Sequence, residues 1–206
     1  LRIKKIGLWI LIVCLLGGCS PKTKEDLLYD VQKKLNQINS YTCKAEIEIH
    51  GNKDMQKYIV KQWFQKPNKY KLETIYPDTL KGKVTLFDGK RAWVYHPLIE
   101  QTFILDDFSK SDEQNMFLGY FIKNYLESEN VQIDKKRKEH KDYLVITTEI
   151  PGNYAYFHKQ ILWINIEKKE PFLLEVYDSS DHIRMRVKYD GFEYNPTIEN
   201  DFFKIR

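Results

Sequence analysis

The run Tyr41-Thr42-Cys43-Lys44-Ala45-Glu46-Ile47-Glu48-Ile49-His50 decides the fold. Tyr41, Cys43, Ala45, Ile47 and Ile49 share one face, and the five residues between and after them are polar or charged. This alternation marks a half-buried strand. Antiparallel sheets commonly have one dry and one wet face, whereas parallel sheets are usually buried on both. Cys43 falls on the dry face, where a small buried hydrophobe is a commoner role than a reactive thiol.

Upstream the period is closer to four. Leu27, Leu28, Val31, Leu35 and Ile38 recur at helical spacing, with Glu25 and Asp26 in the first turn, and predict an amphipathic helix over Lys24–Ile38. Downstream, Gly51-Asn52-Lys53-Asp54 is turn chemistry, and strands are expected near Gln56–Gln65, Tyr70–Ile75, Val84–Phe87, Arg91–Tyr95 and Gln101–Leu105. Asp88-Gly89 is a strong hairpin signal, because both turn positions can take positive φ. A second helix is expected over Glu113–Glu127, capped by Ser111 or Asp112, because Leu118, Phe121, Ile122, Tyr125 and Leu126 lie on one face. Val131–Ile133 reads as a short strand and Asp134–Lys141 as a charged hairpin or loop. Strands Tyr143–Ile150, Tyr156–Ile166, Phe172–Tyr177 and Ile183–Tyr189 follow, the last two joined by the turn Asp178-Ser179-Ser180-Asp181.

The amino-terminal stretch has a different logic. Arg2, Lys4 and Lys5 precede an apolar run, Ile6 to Leu16, interrupted only by Gly7. Eleven helical residues reach roughly 16 Å, about half of a ~30 Å hydrocarbon core, so the run is too short to span and has the make-up of a secretory signal. It closes on Leu16-Gly17-Gly18-Cys19, which resembles the bacterial lipobox. That resemblance implies a thioether-linked diacylglycerol on Cys19 and cleavage before it. Two acyl chains suffice for stable anchoring. The expected organisation is a lipoprotein signal peptide at 1–18, a lipidated tether at 19–24 and one domain over 25–206.

The whole sequence holds 33 Lys and Arg against 29 Asp and Glu, a formal net charge of +4. The leader carries three of those positives, so the mature chain is near neutral and no broad basic excess is left for nucleic acid. Cys14 leaves with the signal and Cys19 carries lipid; the lone Cys43 excludes an internal disulfide and a zinc site of the Cys-x-x-Cys kind.

Catalytic patterns are missing. His50, His96, His140, His158 and His182 fall in neither HExxH nor HxxxH spacing, and there is no GxSxG, P-loop or GxGxxG. Asp106-Asp107 and Asp178 with Asp181 sit in turn-like stretches, where capping outweighs acid–base work, and Asp-x-x-Asp supplies too few oxygens for calcium. The sequence reads as a non-enzyme without metal or cofactor. Lys135-Lys136-Arg137-Lys138 suits anionic headgroups or a teichoic-type polymer, but its acidic flanks favour a solvated hairpin tip.

The order of helix, long meander, second helix and closing strands resembles the LolA/LolB lipoprotein-localisation fold. The run Trp63-Phe64-Gln65-Lys66-Pro67-Asn68-Lys69-Tyr70-Lys71-Leu72-Glu73 and the hairpin Phe87-Asp88-Gly89-Lys90-Arg91-Ala92-Trp93-Val94-Tyr95-His96-Pro97 carry the likeness. It implies an α+β, mainly antiparallel fold: a curved, incomplete β-barrel (a half-barrel) covered by helices. Within that superfamily the chain looks most like the clostridial germination lipoproteins of the GerS group. The resemblance implies a non-enzymatic partner of a cortex-processing N-acetylmuramoyl-L-alanine amidase, lipid-anchored on the outer face of the cytoplasmic membrane (in a spore, the cortex side).

Motifs of this kind argue fold better than function. A tethered protein-binding module is the leading reading; a lipid or lipoprotein carrier of LolB type and a hydrolase with a scattered site are the others. Tyr154, Tyr156, Trp93 and Tyr95 are the candidate partner-binding aromatics. Tyr154 is the best placed for exposure, beside Pro151-Gly152-Asn153. Unpaired edges and Cys43 also leave room for a strand-exchanged or disulfide-linked homodimer.

Overall fold

A computed structural model of the chain describes residues 23–106, 108, 112–152, 154–199 and 201–204. The expected signal peptide, Cys19, Asp107, Ser111 and Asn153 lie outside the described residues. Helix α1 (Lys24–Asn36) leads into six strands: β1 (Ser40–His50), β2 (Met55–Gln65), β3 (Lys69–Tyr76), β4 (Val84–Phe87), β5 (Ala92–His96) and β6 (Gln101–Leu105). A 3-10 turn (Asp112–Met116) and helix α2 (Leu118–Glu127) follow. The chain then completes β7 (Gln132–Lys138), β8 (Lys141–Glu149), β9 (Lys159–Asn165), β10 (Glu170–Tyr177) and β11 (Ile183–Tyr194).

All eleven strands form one open antiparallel sheet in the order β6-β5-β4-β3-β2-β1-β11-β10-β9-β8-β7. The first six step outward from the centre. The segment holding the 3-10 turn and α2 then passes from one outer strand to the other, and the last five step back. The first and last strands therefore pair in the middle, with Tyr41 opposite Tyr194 and Ile49 opposite Met185.

Strand alternation sorts the faces as the sequence predicts. Tyr41, Cys43, Ala45 and Ile47 of β1 are buried in the same cluster as Val60, Phe64, Tyr70, Leu144, Leu162, Val187 and Tyr189. Helix α1 adds Val31 and Leu35 to this cluster. It starts on a reciprocal cap: the Thr23 hydroxyl accepts from the Asp26 N–H, and the Asp26 carboxylate accepts from the Thr23 N–H, both at 3.1 Å.

One expectation needs correction and two gain detail. The second helix does not begin at Glu113: Phe117 is extended (φ −100°, ψ 133°) and splits the stretch into a 3-10 turn and a ten-residue helix. Long-range contacts cause the break. The backbone C=O of Met116 accepts from the Tyr189 hydroxyl at 3.0 Å and from the Gln62 amide at 3.5 Å. The N–H of Leu118 donates to the Tyr41 hydroxyl, and the Gln160 amide donates to the Asn115 C=O. These bonds hold the break in place, and Gly119 lets α2 come against Phe64, whose Cζ would lie 2.0 Å from an added Cβ.

Of the two readings of Asp134–Lys141, the hairpin holds: Asp134–Lys138 continues the strand expected at Val131–Ile133. It pairs with β8 from Gln132 opposite Thr147 to Lys138 opposite Lys141, and the hairpin tip is Glu139-His140, both at positive φ. Asp88-Gly89 does mark a hairpin, and because Phe87 pairs with Ala92, four residues connect the strands. Only Gly89 of the two has positive φ (102°), and the Asp88 carboxylate accepts from the N–H groups of Lys90 and Arg91.

Candidate interaction surfaces

A strand at the end of a sheet offers unpaired N–H and C=O groups, and proteins usually guard it with charge, proline or a bulge. The two ends of this sheet differ. β7 reads Gln-Ile-Asp-Lys-Lys-Arg-Lys. Lys135 bridges Asp142 at 3.0 Å, while Lys136 and Lys138 place their ammonium groups 5.6 and 5.8 Å from the Trp163 ring centre. The basic run is therefore an edge guard. β6 reads Gln-Thr-Phe-Ile-Leu and is exposed at every position, with Ile104 59 % accessible. Leu98 and Ile99, in the turn before it, are also exposed.

The candidate aromatics occupy two separate places. Trp93 and Tyr95 lie on β5, next to the open edge, on the face away from the core. Trp93 is half-buried and Tyr95 38 % exposed. Register lines up Trp63, Lys71, Leu86, Trp93 and Ile104 across five strands on that face. Phe202 covers the Trp63 end of this row, its ring 5.6 Å from the tryptophan, with the Lys71 ammonium over both rings. The Trp93 and Ile104 end is the more accessible one.

Tyr154 and Tyr156 sit in the connection between β8 and β9. Tyr156 is outside the strand expected to begin there, because residues 155–157 form a bend. Tyr154 is 61 % exposed, its ring against Gly152. Tyr156 is held: its hydroxyl donates to the His50 C=O at 3.2 Å, and the Arg184 guanidinium lies 4.6 Å from its ring centre. Arg184 is in turn fixed by Asp178, at 2.8 Å from Nε and 2.7 Å from Nη2. Asp178 also accepts from the N–H groups of His182 and Ser180, so hydrogen bonding holds its carboxyl down at about pH 2. Its duty is to close the β10–β11 hairpin.

The structure thus does not bring the four candidate aromatics together. Sequence reading missed Leu98, Ile99, Phe103, Ile104 and Leu105 as a surface. The available signal was a run of three apolar residues without alternation or a guarding charge.

Among the described residues the other surfaces offer little reactive chemistry. Glu175 accepts from Arg186 at 3.1 Å and from the Trp163 indole at 3.2 Å, a structural ion pair on the face away from the core. Burial pushes the Cys43 thiol well up, removing its thiolate character and its access to a second chain. Among the described residues no three His, Cys, Asp or Glu side chains converge as metal ligands would. On the core face, where a carrier would hold an acyl chain, Tyr41, Phe64, Tyr70, Phe87, Phe117 and Phe121 are buried against one another and against α2.

Comparison with known proteins agrees with this architecture. The sporulation protein YdcC of Bacillus subtilis (strain 168) is 22% identical over 198 residues, covering 94% of this chain. A chain in the structure of the CwlD amidase from Clostridioides difficile in complex with the GerS lipoprotein is 38% identical, with a TM-score of 0.51; the match covers 86% of this chain and 99% of that one. The outer-membrane lipoprotein carrier protein of Pectobacterium atrosepticum is 29% identical over 96 residues, 45% of this chain. The match spans 57% of the Bacillus protein and 46% of the Pectobacterium protein. The resemblance to LolA-type proteins and to GerS therefore holds. The family described as sporulation protein YdcC-like matches residues 3–203, nearly the whole sequence, and the chain belongs to that family.

Proposed function

We propose that this chain is a membrane-anchored, non-enzymatic docking protein for a cell-wall N-acetylmuramoyl-L-alanine amidase of the spore cortex, needed for germination. The reading rests on one observation: an unguarded apolar edge strand, β6, on a sheet whose opposite edge is heavily guarded. A partner adding a strand there would gain main-chain hydrogen bonds and bury Phe103, Ile104 and Leu105. The amidase complex of the relative that is 38% identical supplies the kind of partner.

In this reading residues 25–206 form one half-barrel domain, with its helices over the core face. Cys19 carries the diacylglycerol that holds it on the outer face of the cytoplasmic membrane, or on the cortex side in a spore. Trp93 and Tyr95 contact the partner beside β6, and Tyr154 and Tyr156 offer a second, separate contact. The ring-filled core face weighs against the carriage of an acyl chain.

The test is to mix the full chain, purified in detergent, with a spore cell-wall amidase of the same host and weigh the product by light scattering. A complex at micromolar concentration that is lost in Ile104→Lys, with the unfolding midpoint unchanged, is the expected result. No complex with the unaltered chain overturns the reading. A mass twice the monomer in the absence of amidase, abolished by the same substitution, would assign β6 to a homodimer instead.

A further inference from the structure

A second site lies on the face away from the core, where the β9–β10 hairpin turns: a groove of about 620 Å³. Two strand irregularities shape it. Between Pro171 and Leu173 the β10–β9 register slips by one residue, making Phe172 the extra one. Between Lys44 and Thr42 the β11 partner gains a residue at Gly191-Phe192, where Gly191 takes φ +59°. Bulges re-aim side chains and recur beside binding sites. Here the first sets Phe172 in the groove wall, while at the second Phe192 stacks on Tyr41 of the core and Gly191 lines the groove.

The lining is chemically specific. An aromatic row, Trp163, Tyr143 and Phe172, runs toward and into the groove with ring centres 6.0 and 5.0 Å apart. Lys141, Lys168 and Lys188 stand around it, opposed by Glu46, Glu170 and Asp190. A fatty acyl chain would desolvate six charges without pairing them. A peptide strand would need free main-chain partners, and β8, β9, β10, β11 and β1 each already pair on both sides. The ligand must be read by side chains alone.

We propose that this groove binds a glycan strand whose sugars carry carboxylate groups. The apolar C–H face of a sugar ring packs on Phe172, the half-buried end of the row that lines the groove, and the negative ring face favours its polarised hydrogens. Groove carboxylates accept from hydroxyls, and the lysines donate to ring substituents and pair with sugar carboxylates. The volume falls within the range of small-ligand sites. The site lies away from the β6 edge, so the proposal stands or falls separately from amidase docking.

Titration calorimetry on the full chain tests it, with the disaccharide of N-acetylglucosamine and N-acetylmuramic acid as one probe and neutral N-acetylglucosamine tetramer as the other. The muramic disaccharide is expected to bind saturably. The neutral tetramer should bind about fivefold or more weakly, and the double variant Lys168→Glu/Lys188→Glu should weaken the acidic sugar about tenfold or more. An unchanged unfolding midpoint and circular dichroism spectrum would show that the variant is folded. No saturable binding of the acidic sugar, equal binding of both sugars, or insensitivity to the double variant would each overturn the proposal. So would binding of anionic phosphatidylglycerol vesicles in place of sugar, lost in the same variant.

Discussion

The hydroxyl of Tyr41 on β1 accepts a 3.0 Å hydrogen bond from the backbone N–H of Leu118, the first residue of α2. Phe117, at the position before the helix, makes no side-chain cap. A strand residue 77 positions upstream does the work that a local Ser or Asp usually does. Tyr41→Phe keeps the ring stacked on Phe64 and Phe192 but leaves that buried N–H unpaired. The expected loss is about 1–3 kcal/mol of stability, read from urea unfolding at constant m. A change below the error of the fit would deny the capping role.

Gly119 is a matter of space. An added Cβ would lie 2.0 to 2.5 Å from three Phe64 ring atoms, so helix or ring must shift. Gly119→Ala is expected to destabilise the fold by about 1–3 kcal/mol despite the better helix propensity of alanine. Adding Phe64→Leu should recover part of that loss. Strictly additive effects in the double variant would show that the two sites do not touch.

Asp178 sets an acid limit on the β10–β11 hairpin. Its folded pKa, about 2, lies below the ordinary value near 3.9, so its contribution is whole above about pH 4 and fades as the pH falls through about 2. Unfolding midpoints of the parent and of Asp178→Asn should differ by a constant amount from pH 6 to about 4 and converge towards pH 2. Parallel curves down to pH 2 would show that Asp178 is not the titrating group.

Cys43 provides a probe of opening. The thiol is buried against Gln62, and burial raises its pKa. In the native protein at pH 8 an aromatic disulfide reagent should leave it untouched over minutes, and in denaturant it should react at once. Prompt labelling of the native chain would mean that the centre of the sheet breathes, and would reopen the disulfide-linked dimer.

The legible parts of this fold were those whose cause is local. The alternation of β1 and of Ile183–Tyr189, and the apolar spacing of α1 behind its acidic first turn, each follow from neighbours in sequence. The break at Phe117 was not legible, since it depends on Tyr41, Gln62, Gln160 and Tyr189, four residues on four strands. The length of β7 was not legible, and hairpin and loop stayed open there, because a strand guarded by lysines on both faces has no apolar period to detect. The groove stayed hidden for a related reason: register slips are properties of pairs of strands, and one strand read alone does not reveal them.

The pairing of β1 with β11 joins Tyr41 to Tyr194, near opposite ends of the described chain. Each outer meander can assemble from neighbours along the chain, but the seam must close a loop of some hundred and fifty residues first, at an entropic cost that grows with the logarithm of loop length. Such high contact order puts folding at the slow end of the range for single domains. The chain must therefore have left the ribosome, and any export channel, as far as the end of β11 before the middle of the sheet can zip.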